Sequence, residues 1–409
     1  MSAIETITDQ TSWDARTLAD ICELRKEQIH PKNAAELIYI GLEHIKSHVP
    51  VLTQHGDPST VRSNKNLFYP GDVLYGKLRP YLDKAAIATT KGICSTDILI
   101  LKPSSKDTLS EFIVYLLHTE RFINHAIRTT SGVNHPRTSW SSIGEFNLHS
   151  PPLPEQKAIA QVLRAIQNAI AAQKEIIART RELKQALMAK LFTEGLHGEK
   201  TKETEIGPIP ESWDAKRLED VTTIERGKFS HRPRNDPDYY EGDTPFIQTG
   251  DITASNGRIR KFSQTLNEKG LAVSRIFPTG TILITIAANI GDTGILMFDS
   301  AFPDSIIGMT PFEGIDSEFL EYYLRTQRTK MNKRASKGTQ KNINIEFLKP
   351  WPVPRPSFKE QKEIAGVLNV LSSKENSAIR KQQIYQELFK SMLHELMTGQ
   401  TRATALIEE

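Results

Sequence analysis

Only two of the 409 residues are cysteine, Cys22 and Cys94, too few for a disulfide framework or a four-ligand zinc site. A reducing, cytoplasmic location is the simplest expectation. The first ten residues are polar and acidic, unlike a signal peptide. The most apolar stretch, residues 282–298, is interrupted by Asn289 and Asp292, so we expect two buried strands around a turn there and no membrane span. The net charge of +3 is small, and a polyanion-binding surface must come from local clustering.

Complete motifs for catalysis or cofactor binding are also lacking. Residues 71–78 have the spacing of a phosphate-binding loop, but Leu78 stands where a hydroxyl must hold magnesium. The Glu-Gln-Lys of residues 360–362 imitates part of a nuclease site with Asp304 as the missing acid, yet it opens a helix after prolines, as does the same tripeptide at 155–157. The eleven histidines show no metal-binding spacing beside an acidic partner. We therefore expect no catalytic residue and no metal site.

The chain repeats itself at an offset that stays between about 200 and 209 residues. The Ser-Trp-Asp-Ala of residues 12–15 recurs at 212–215, and Asp83 falls on Asp292. The alternative, a scatter of coincidences, is disfavoured because the offset hardly drifts across half of the chain. The repeat predicts two copies of one structural unit.

Each half has the same internal order: β-rich runs punctuated by Gly and Pro, a proline-bounded hinge, and a long amphipathic helix. Residues 193–211 are polar and predict a linker between the halves. The apolar heptad positions are Ile159, Val162, Ile166, Ala169, Ile176, Leu183 and Leu187 in the first helix and Ile364, Val367, Leu371, Ala378, Tyr385, Leu388 and Met392 in the second. The predicted segments are a first domain at 1–150, a helical spacer at 151–197, a second domain at 198–355 and a second spacer at 356–409.

Two helices of equal length, each with one apolar stripe, bury those stripes most simply against each other. A two-fold relation makes such a pair antiparallel and sets opposite helix dipoles side by side. The predicted fold class is therefore α+β, with two tandem mixed α/β domains joined by an antiparallel coiled coil with pseudo-two-fold symmetry. The coiled coil would act as a spacer of fixed length between the domains. The alternative is that each helix packs separately onto its own domain.

Basic residues cluster at equivalent places in the halves, which favours DNA binding over a merely solvated charge run. Lys and Arg neutralise phosphates, whereas Arg, Asn and Gln can read guanine or adenine edges. The halves differ most at residues 77–81 against 286–290, which predicts two different target sequences. The candidate DNA-binding residues are Lys77, Arg79, Tyr81, Lys84, Arg128, Ser131, Asn134 and Arg137 in the first half and Arg226, Lys228, Arg232, Arg234, Lys333, Arg334, Lys337 and Lys341 in the second.

This organisation resembles the specificity subunit of type I restriction–modification enzymes over essentially the whole chain. The resemblance is carried by Gly-Asp-Val-Leu-Tyr at 71–75, Lys-Leu-Arg-Pro-Tyr-Leu at 77–82, Pro-Pro-Leu-Pro-Glu-Gln-Lys at 151–157 and Ile-Pro-Glu-Ser-Trp at 209–213. It implies two target-recognition domains that each read half of a split, asymmetric site on double-stranded DNA. It also implies a non-catalytic subunit.

The resemblance further implies partners. The helices would dock two adenine-N6 methyltransferase subunits and, through them, ATP-driven restriction subunits, with S-adenosylmethionine, ATP and magnesium in the partners and no cofactor in this chain. The candidate contacts are Pro152, Glu155, Gln156, Pro356, Glu360 and Gln361. The second hinge reads Arg-Pro-Ser-Phe at 355–358, so the partner contacts need not be identical at both hinges. The alternatives are a coiled-coil DNA-binding scaffold or adaptor without a restriction partner, a coiled-coil scaffold with no DNA role, and a self-sufficient methyltransferase or nuclease.

Overall fold

The computed structural model describes residues 13–286, 290–335 and 343–403, which form two compact units. Unit 1 takes its described residues from Met1–Lys174 and Arg380–Glu409, and unit 2 from Glu175–Ile379. The boundaries fall inside the two long helices, α5 (Leu153–Glu194) and α10 (Phe358–Thr398). Each unit therefore contains one half of each long helix together with one globular domain. No helix in the described ranges is long and apolar enough to cross a membrane.

The elements of unit 1 outside the long helices are β1 (Asp14–Thr17), α1 (Leu18–Ile21), β2 (Cys22–Leu24), β3 (Gln28–Ile29), β4 (Ile38–Ile40), β5 (Lys65–Phe68), β6 (Val73–Gly76), β7 (Ala85–Ile87), β8 (Gly92–Cys94), β9 (Ile98–Pro103), α2 (Ser110–Leu117), α3 (Glu120–Arg128), α4 (Trp140–Ile143) and β10 (Asn147–Ser150). The strands form two four-stranded sheets and a two-stranded ribbon, in the orders β2-β9-β6-β7, β3-β5-β8-β4 and β1-β10. All neighbours are antiparallel except β4 and β8.

Strand β6 is buried on both faces, which explains why its sequence is continuously apolar instead of alternating. Val73 and Tyr75 face the core that contains α2 and α3, whereas Leu74 belongs to a second core with Phe68 and Ile100. The sheet β2-β9-β6-β7 thus lies between the helices and the second sheet.

The elements of unit 2 outside the long helices are β11 (Thr201–Thr204), β12 (Gly207–Pro210), β13 (Asp214–Arg217), β14 (Thr222–Arg226), β15 (Tyr240–Phe246), α6 (Thr249–Ala254), β16 (Arg258–Ile259), β17 (Gln264–Leu266), α7 (Glu268–Ala272), β18 (Ile276–Phe277), β19 (Ile282–Thr285), β20 (Thr293–Leu296), β21 (Ser300–Ala301), β22 (Ile306–Pro311), α8 (Ser317–Ala335), α9 (Ile345–Leu348) and β23 (Pro352–Arg355). The strands form a five-stranded sheet, β14-β22-β19-β20-β16, a four-stranded sheet, β17-β15-β21-β18, a ribbon, β13-β23, and a hairpin, β11-β12. The hairpin lies within residues 193–211, where the sequence predicted only a polar linker.

The apolar stretch at 282–298 is confirmed as two buried antiparallel strands, β19 and β20, with Ile290 and Gly291 in a turn just before β20. Asp292 directly precedes β20, and Gly291 takes a φ of 83°, which few other residues adopt without strain. Asn289 lies outside the described residues.

The long helices run antiparallel to each other within each unit. In unit 2, Arg181 of α5 contacts Glu375 of α10, and Leu196, just after α5, contacts Glu360, so the numbering rises along one helix as it falls along the other. In unit 1 the start of α5 and the end of α10 contribute Leu163 and Leu396 to one core. Each helix start also packs on its own domain. Because α5 and α10 contact each other in both units, the alternative that each helix packs separately onto its own domain is excluded.

The heptad register was wrong at three positions, because Leu183, Val367 and Leu388 are exposed. The residues buried in their neighbourhood include Lys184 and Glu375, which an apolar pattern cannot reveal. A straight helix also drifts from a seven-residue repeat by about 20° per heptad, so a fixed register fails over 42 residues.

Candidate nucleic-acid interface

In unit 1, two loops that the sequence singled out separately lie side by side. We call residues 77–84 and 129–138 the basic loop pair. The backbone N–H of Thr138 donates to the carbonyl of Lys77 at 3.1 Å, and that of Arg79 donates to the carbonyl of Pro136 at 2.8 Å. These bonds place the segment with Lys77, Arg79 and Tyr81 beside the segment with Ser131, Asn134 and Arg137.

Within the basic loop pair, Arg137 and Arg79 are held differently. Arg137 donates to both carboxylate oxygens of Asp97, at 2.8 and 3.2 Å, and these hydrogen bonds hold the pKa of Asp97 below its ordinary value. Arg79 is exposed, has a left-handed φ of 54°, and forms no ion pair in the part of the chain that the structure describes. A planar guanidinium presented in this way suits a base edge or a phosphate.

The remaining candidates of unit 1 divide into fastening and exposed residues. The Lys84 ammonium donates to the carbonyl of Leu42 at 2.5 Å and so fastens the loop. Tyr81 is 53% exposed. Arg128 is exposed at the end of α3 and lines a shallow cleft of about 300 Å³ with Arg121, Asn124, His125, Phe146 and Asn147. Asn124 and Asn147 were not among the predicted residues, although Asn124 shares the helical spacing of Arg121 and Arg128.

In unit 2, three of the predicted arginines converge on Asp304. The Arg226 Nε donates to the Asp304 carbonyl at 2.6 Å, the Arg232 Nη2 lies 3.2 Å from Oδ2, and Arg234 contacts Oδ1. Lys228, between them in sequence, is exposed. The carboxylate pairs with two guanidinium groups and the backbone carbonyl accepts from the third, so this Asp304 cluster keeps an excess of positive charge. It also gives Asp304 arginine partners rather than the acidic and lysine neighbours of a nuclease site.

Helix α8 carries the second basic cluster of unit 2. Lys333 is exposed, and the guanidinium of Arg334 lies 4.8 Å from the ring centre of Trp351. Arg325 and Arg328, earlier on the helix, form ion pairs with Glu321 and Asp292. Glu321 of this helix and Asp292, just before β20, thus neutralise two of its arginines. Lys337 and Lys341 lie outside the described residues.

The two helix starts bind equivalent tryptophans of the repeat. The Trp13 Nε1 donates to Glu155 at 2.9 Å, and the Trp213 Nε1 donates to Glu360 at 3.0 Å. Glu155 also accepts two hydrogen bonds from Arg402, at 2.5 and 2.6 Å. The repeat therefore extends from sequence to individual side-chain contacts.

Gln156 fastens the start of α5 to the loop before α2, and Gln361 fastens the start of α10 to the loop before α8. Gln156 accepts from the Leu109 N–H at 2.9 Å and donates to the Asp107 carbonyl at 3.0 Å. Gln361 accepts from the Asp316 N–H at 2.8 Å and donates to the Gly314 carbonyl at 3.2 Å.

These contacts give the Glu-Gln pair a role inside the chain that the sequence did not predict. Of the six candidate partner contacts, Pro152 is exposed, Glu360 is half-buried, and Glu155, Gln156, Pro356 and Gln361 are buried. A partner that docks here meets Pro152 and the exposed residues around it, and contact with a partner stays a prediction.

Among the residues of the described ranges, no group of three or more His, Cys, Asp or Glu side chains is placed to hold a metal ion.

The family described as the type I restriction modification DNA specificity domain matches residues 10–180 and 210–389, more than half of the chain. The chain belongs to this family. The two matched stretches correspond to the two halves of the sequence repeat.

Several known proteins are similar to this chain. A putative type I restriction enzyme MjaX specificity subunit of Methanocaldococcus jannaschii is 26% identical over 95% of this chain and 94% of its own length. The EcoDI specificity subunit of Escherichia coli is 27% identical over 44% of this chain and 41% of its own. The solved S subunit from M. genitalium has the same fold, with a TM-score of 0.65 at 14% identity over 96% of this chain and 97% of that one.

Proposed function

We propose that this member of the DNA specificity family reads a bipartite, asymmetric DNA site, one half with each unit, as the specificity subunit of a type I restriction–modification complex. The observation that carries the proposal is one scaffold with two different basic surfaces. Each unit has a tryptophan–glutamate contact at its helix start. The arginines, however, are presented by the basic loop pair in unit 1 and by the Asp304 cluster in unit 2. Two similar scaffolds that carry different basic surfaces fit a DNA site whose two halves differ in sequence.

Base reading by Arg79 is expected to affect one half-site only. Arg79→Ala should cost about 1 to 3 kcal/mol of binding free energy and relax the base preference in the half read by unit 1, because a planar fork is lost from a base edge. Arg234→Ala should relax the base preference in the half-site read by unit 2. The loss of binding free energy should be smaller than for Arg79→Ala, because Asp304 already pairs with the Arg234 guanidinium. Competition between duplexes with randomised half-sites measures both effects together.

Lys333→Ala is the matched control, since an exposed ammonium on a flexible stem suits phosphates. It should weaken binding to all sequences alike and lower the salt slope by about one. If Arg79→Ala also weakens all sequences alike, Arg79 is a phosphate contact and the assignment of the basic loop pair to base reading is wrong.

The same proposal assigns the partners. We propose that the long helices dock two adenine-N6 methyltransferase subunits, and restriction subunits through them. S-adenosylmethionine, ATP and magnesium then belong to those partners. Support comes from apolar side chains that the helices leave exposed, among them Val370 at 68% and Ile384 at 59%. Exposed apolar surface of this kind is typical of protein interfaces. The two free cysteines, both buried, fit the cytoplasmic location that we propose with it.

Val370→Asp is expected to reduce methyltransferase binding at least about tenfold, because a charge would have to be desolvated in an apolar interface. The fold should be unaffected, since Val370 is exposed. Gln383→Asp, at another exposed position of α10, is the control for added charge alone. Co-purification or calorimetry with the methyltransferase measures the effect. Unchanged binding of Val370→Asp would remove this part of the helix from the proposed interface.

The purified chain alone is expected neither to methylate nor to cut DNA, and to do so only when its partners are added. Incorporation of labelled methyl groups and plasmid cleavage measure this. Turnover in a preparation free of partner subunits would favour the self-sufficient enzyme. Binding of DNA with no effect of added methyltransferase would favour the alternative of a DNA-binding scaffold.

A further inference from the structure

Each unit carries an aspartate in the turn that leads into an inner strand of its sheet. In unit 1 the turn 95–98 leads into β9, which lies between β2 and β6, and its third residue is Asp97. In unit 2 the turn 303–306 leads into β22, which lies between β14 and β19, and its second residue is Asp304. The N–H of the fourth residue donates to the carbonyl of the first in both turns, at 3.0 and 3.1 Å. The two turns are therefore equivalent parts of the repeat.

In unit 1 the aspartate holds one arginine along one edge of the guanidinium group. The Nε and Nη2 of Arg137 donate to the two carboxylate oxygens of Asp97, at 2.8 and 3.2 Å. The backbone of Arg137 is fixed as well, because Arg137 and Ser131 exchange two N–H to carbonyl hydrogen bonds, at 2.9 and 3.0 Å. The Nη1 makes a long hydrogen bond of 3.4 Å to the His135 carbonyl. A guanidinium has more N–H groups than these contacts use, so Arg137 can still donate to a ligand.

In unit 2 Asp304 holds two arginines in different ways. The Arg232 Nη2 lies 3.2 Å from Oδ2, and its Nη1 donates to the carbonyls of Phe229 and His231, both at 2.7 Å. Arg232 is thereby fastened to its own loop. Arg234 contacts Oδ1 through Nη2, and its side chain is 47% exposed. Arg234 is therefore the arginine that corresponds in function to Arg137.

The arginines reach the equivalent turns from opposite directions along the chain. Arg137 lies 40 residues after Asp97, whereas Arg234 lies 70 residues before Asp304. The repeat therefore keeps the position of the carboxylate and changes the loop that supplies the arginine. This arrangement lets each unit present its arginine in a different place on a similar sheet.

Neither stability nor attraction to DNA accounts for these carboxylates. The paired side chains are partly exposed, at 42% and 26% for Arg137 and Asp97, and ion pairs in water contribute little to folding. A carboxylate on a DNA-binding surface also opposes contact with phosphates, since like charges repel. What it does provide is orientation: a flexible arginine stem that is ordered before binding loses less entropy when it binds.

We propose that Asp97 and Asp304 are positioning residues for base reading. Each sets the guanidinium of one arginine, Arg137 in unit 1 and Arg234 in unit 2, in the orientation that donates to a base edge. This rests on the proposed function and extends it, because it adds Arg137 as a second reading arginine beside Arg79. Each aspartate lowers the affinity for DNA of any sequence and raises the preference between sequences.

The experiment is competition between duplexes with randomised half-sites, with the full chain and the variants Asp97→Asn and Asp304→Asn. The base preference is expected to fall about tenfold in one half-site only, that of unit 1 for Asp97→Asn and that of unit 2 for Asp304→Asn. The affinity for random-sequence DNA should rise, and its salt slope should increase by up to about one, because the released arginine can contact a phosphate. The half-site read by the other unit is the internal control.

Glu111→Gln and Glu219→Gln are the matched controls for the loss of a carboxylate. Each lies outside the basic loop pair and the Asp304 cluster and pairs with an arginine of its own unit, Glu111 with Arg164 at 2.9 Å and Glu219 with Arg217 at 3.7 Å. These variants should leave the base preference of both half-sites unchanged. The melting temperature of every variant shows whether it is folded.

A double variant separates positioning from a structural role. Arg137→Ala should lower the preference of the first half-site about as much as Asp97→Asn, and the two changes together should lower it no further, because the aspartate acts through the arginine. Arg137→Lys keeps the charge without the planar fork. It should keep the affinity for random-sequence DNA and lose the base preference.

Unchanged base preference in Asp97→Asn and Asp304→Asn overturns the proposal, while reading by Arg79 stands. An effect in one of these variants alone overturns the assignment for the other unit. A uniform fall in affinity for all sequences, or additive losses in the double variant, shows a structural role and also overturns the proposal. A wild type without sequence preference in either half-site overturns the proposed function, and this inference with it.

Discussion

Glu375→Ala is expected to lower the free energy of unfolding by about 3 to 5 kcal/mol, because it removes one partner of a buried ion pair. Glu375 is 4% exposed and accepts from the Arg181 Nε at 2.6 Å and the Lys184 Nζ at 3.1 Å. Lys184 is buried as well, so its charge would be left without a carboxylate. Chemical denaturation measures the change.

The control is Glu387→Ala, an exposed position on the same helix, which should change stability by less than about 0.5 kcal/mol. The double variant Lys184→Met with Glu375→Leu is expected to recover most or all of the stability, because apolar side chains of similar volume replace a buried ion pair at little cost. If Glu375→Ala leaves the free energy of unfolding unchanged, the pairing of α5 with α10 in unit 2 is contradicted.

Low pH should remove the stabilisation that the Glu375 carboxylate provides. Burial raises the pKa of Glu375, but the hydrogen bonds from Arg181 and Lys184 outweigh it, and the pKa lies below its ordinary value of 4.5. A lowered folded-state pKa means that the stabilisation is present above about pH 4.5 and is lost as the pH falls through the folded value. The wild type should therefore lose more stability in acid than Glu375→Gln does.

Glu155→Ala is expected to cost about 2 to 4 kcal/mol and to release the segment that follows α10, because Arg402 and Trp13 both lose their acceptor. The Glu155 carboxylate is 2% exposed and receives three hydrogen bonds from these two side chains. Denaturation measures the stability, and limited proteolysis near residue 402 measures the release.

The repeat supplies the matched comparison. Glu360 holds Trp213 and the backbone N–H of Leu196 and has no arginine partner among the described residues, so Glu360→Ala should cost less than Glu155→Ala. Arg402→Gln should reproduce the proteolytic release with Trp13 still bound. Equal costs for the two glutamates would show that the Arg402 contact adds no stability.

The sequence by itself determined the two-copy organisation, the two long helices and the paired strands at 282–298. These features are set by local rules. Apolar periodicity predicts a helix or a strand from residues near in sequence, and a repeat at a near-constant offset reports a duplicated scaffold without any knowledge of its contacts. The antiparallel pairing followed from two apolar stripes that each needed burial.

Only the tertiary structure decided which polar residues pair with distant parts of the chain and which of them are buried. Lys184 meets Glu375 across 191 positions, Asp83 meets His118 across 35, and Asp304 gathers arginines from about 70 positions away. A carboxylate and a cation look the same in sequence whether they are solvated or paired, because burial and partner depend on how distant segments pack. The physical reason is desolvation, which makes a charge buried in the fold require a partner that local pattern cannot name.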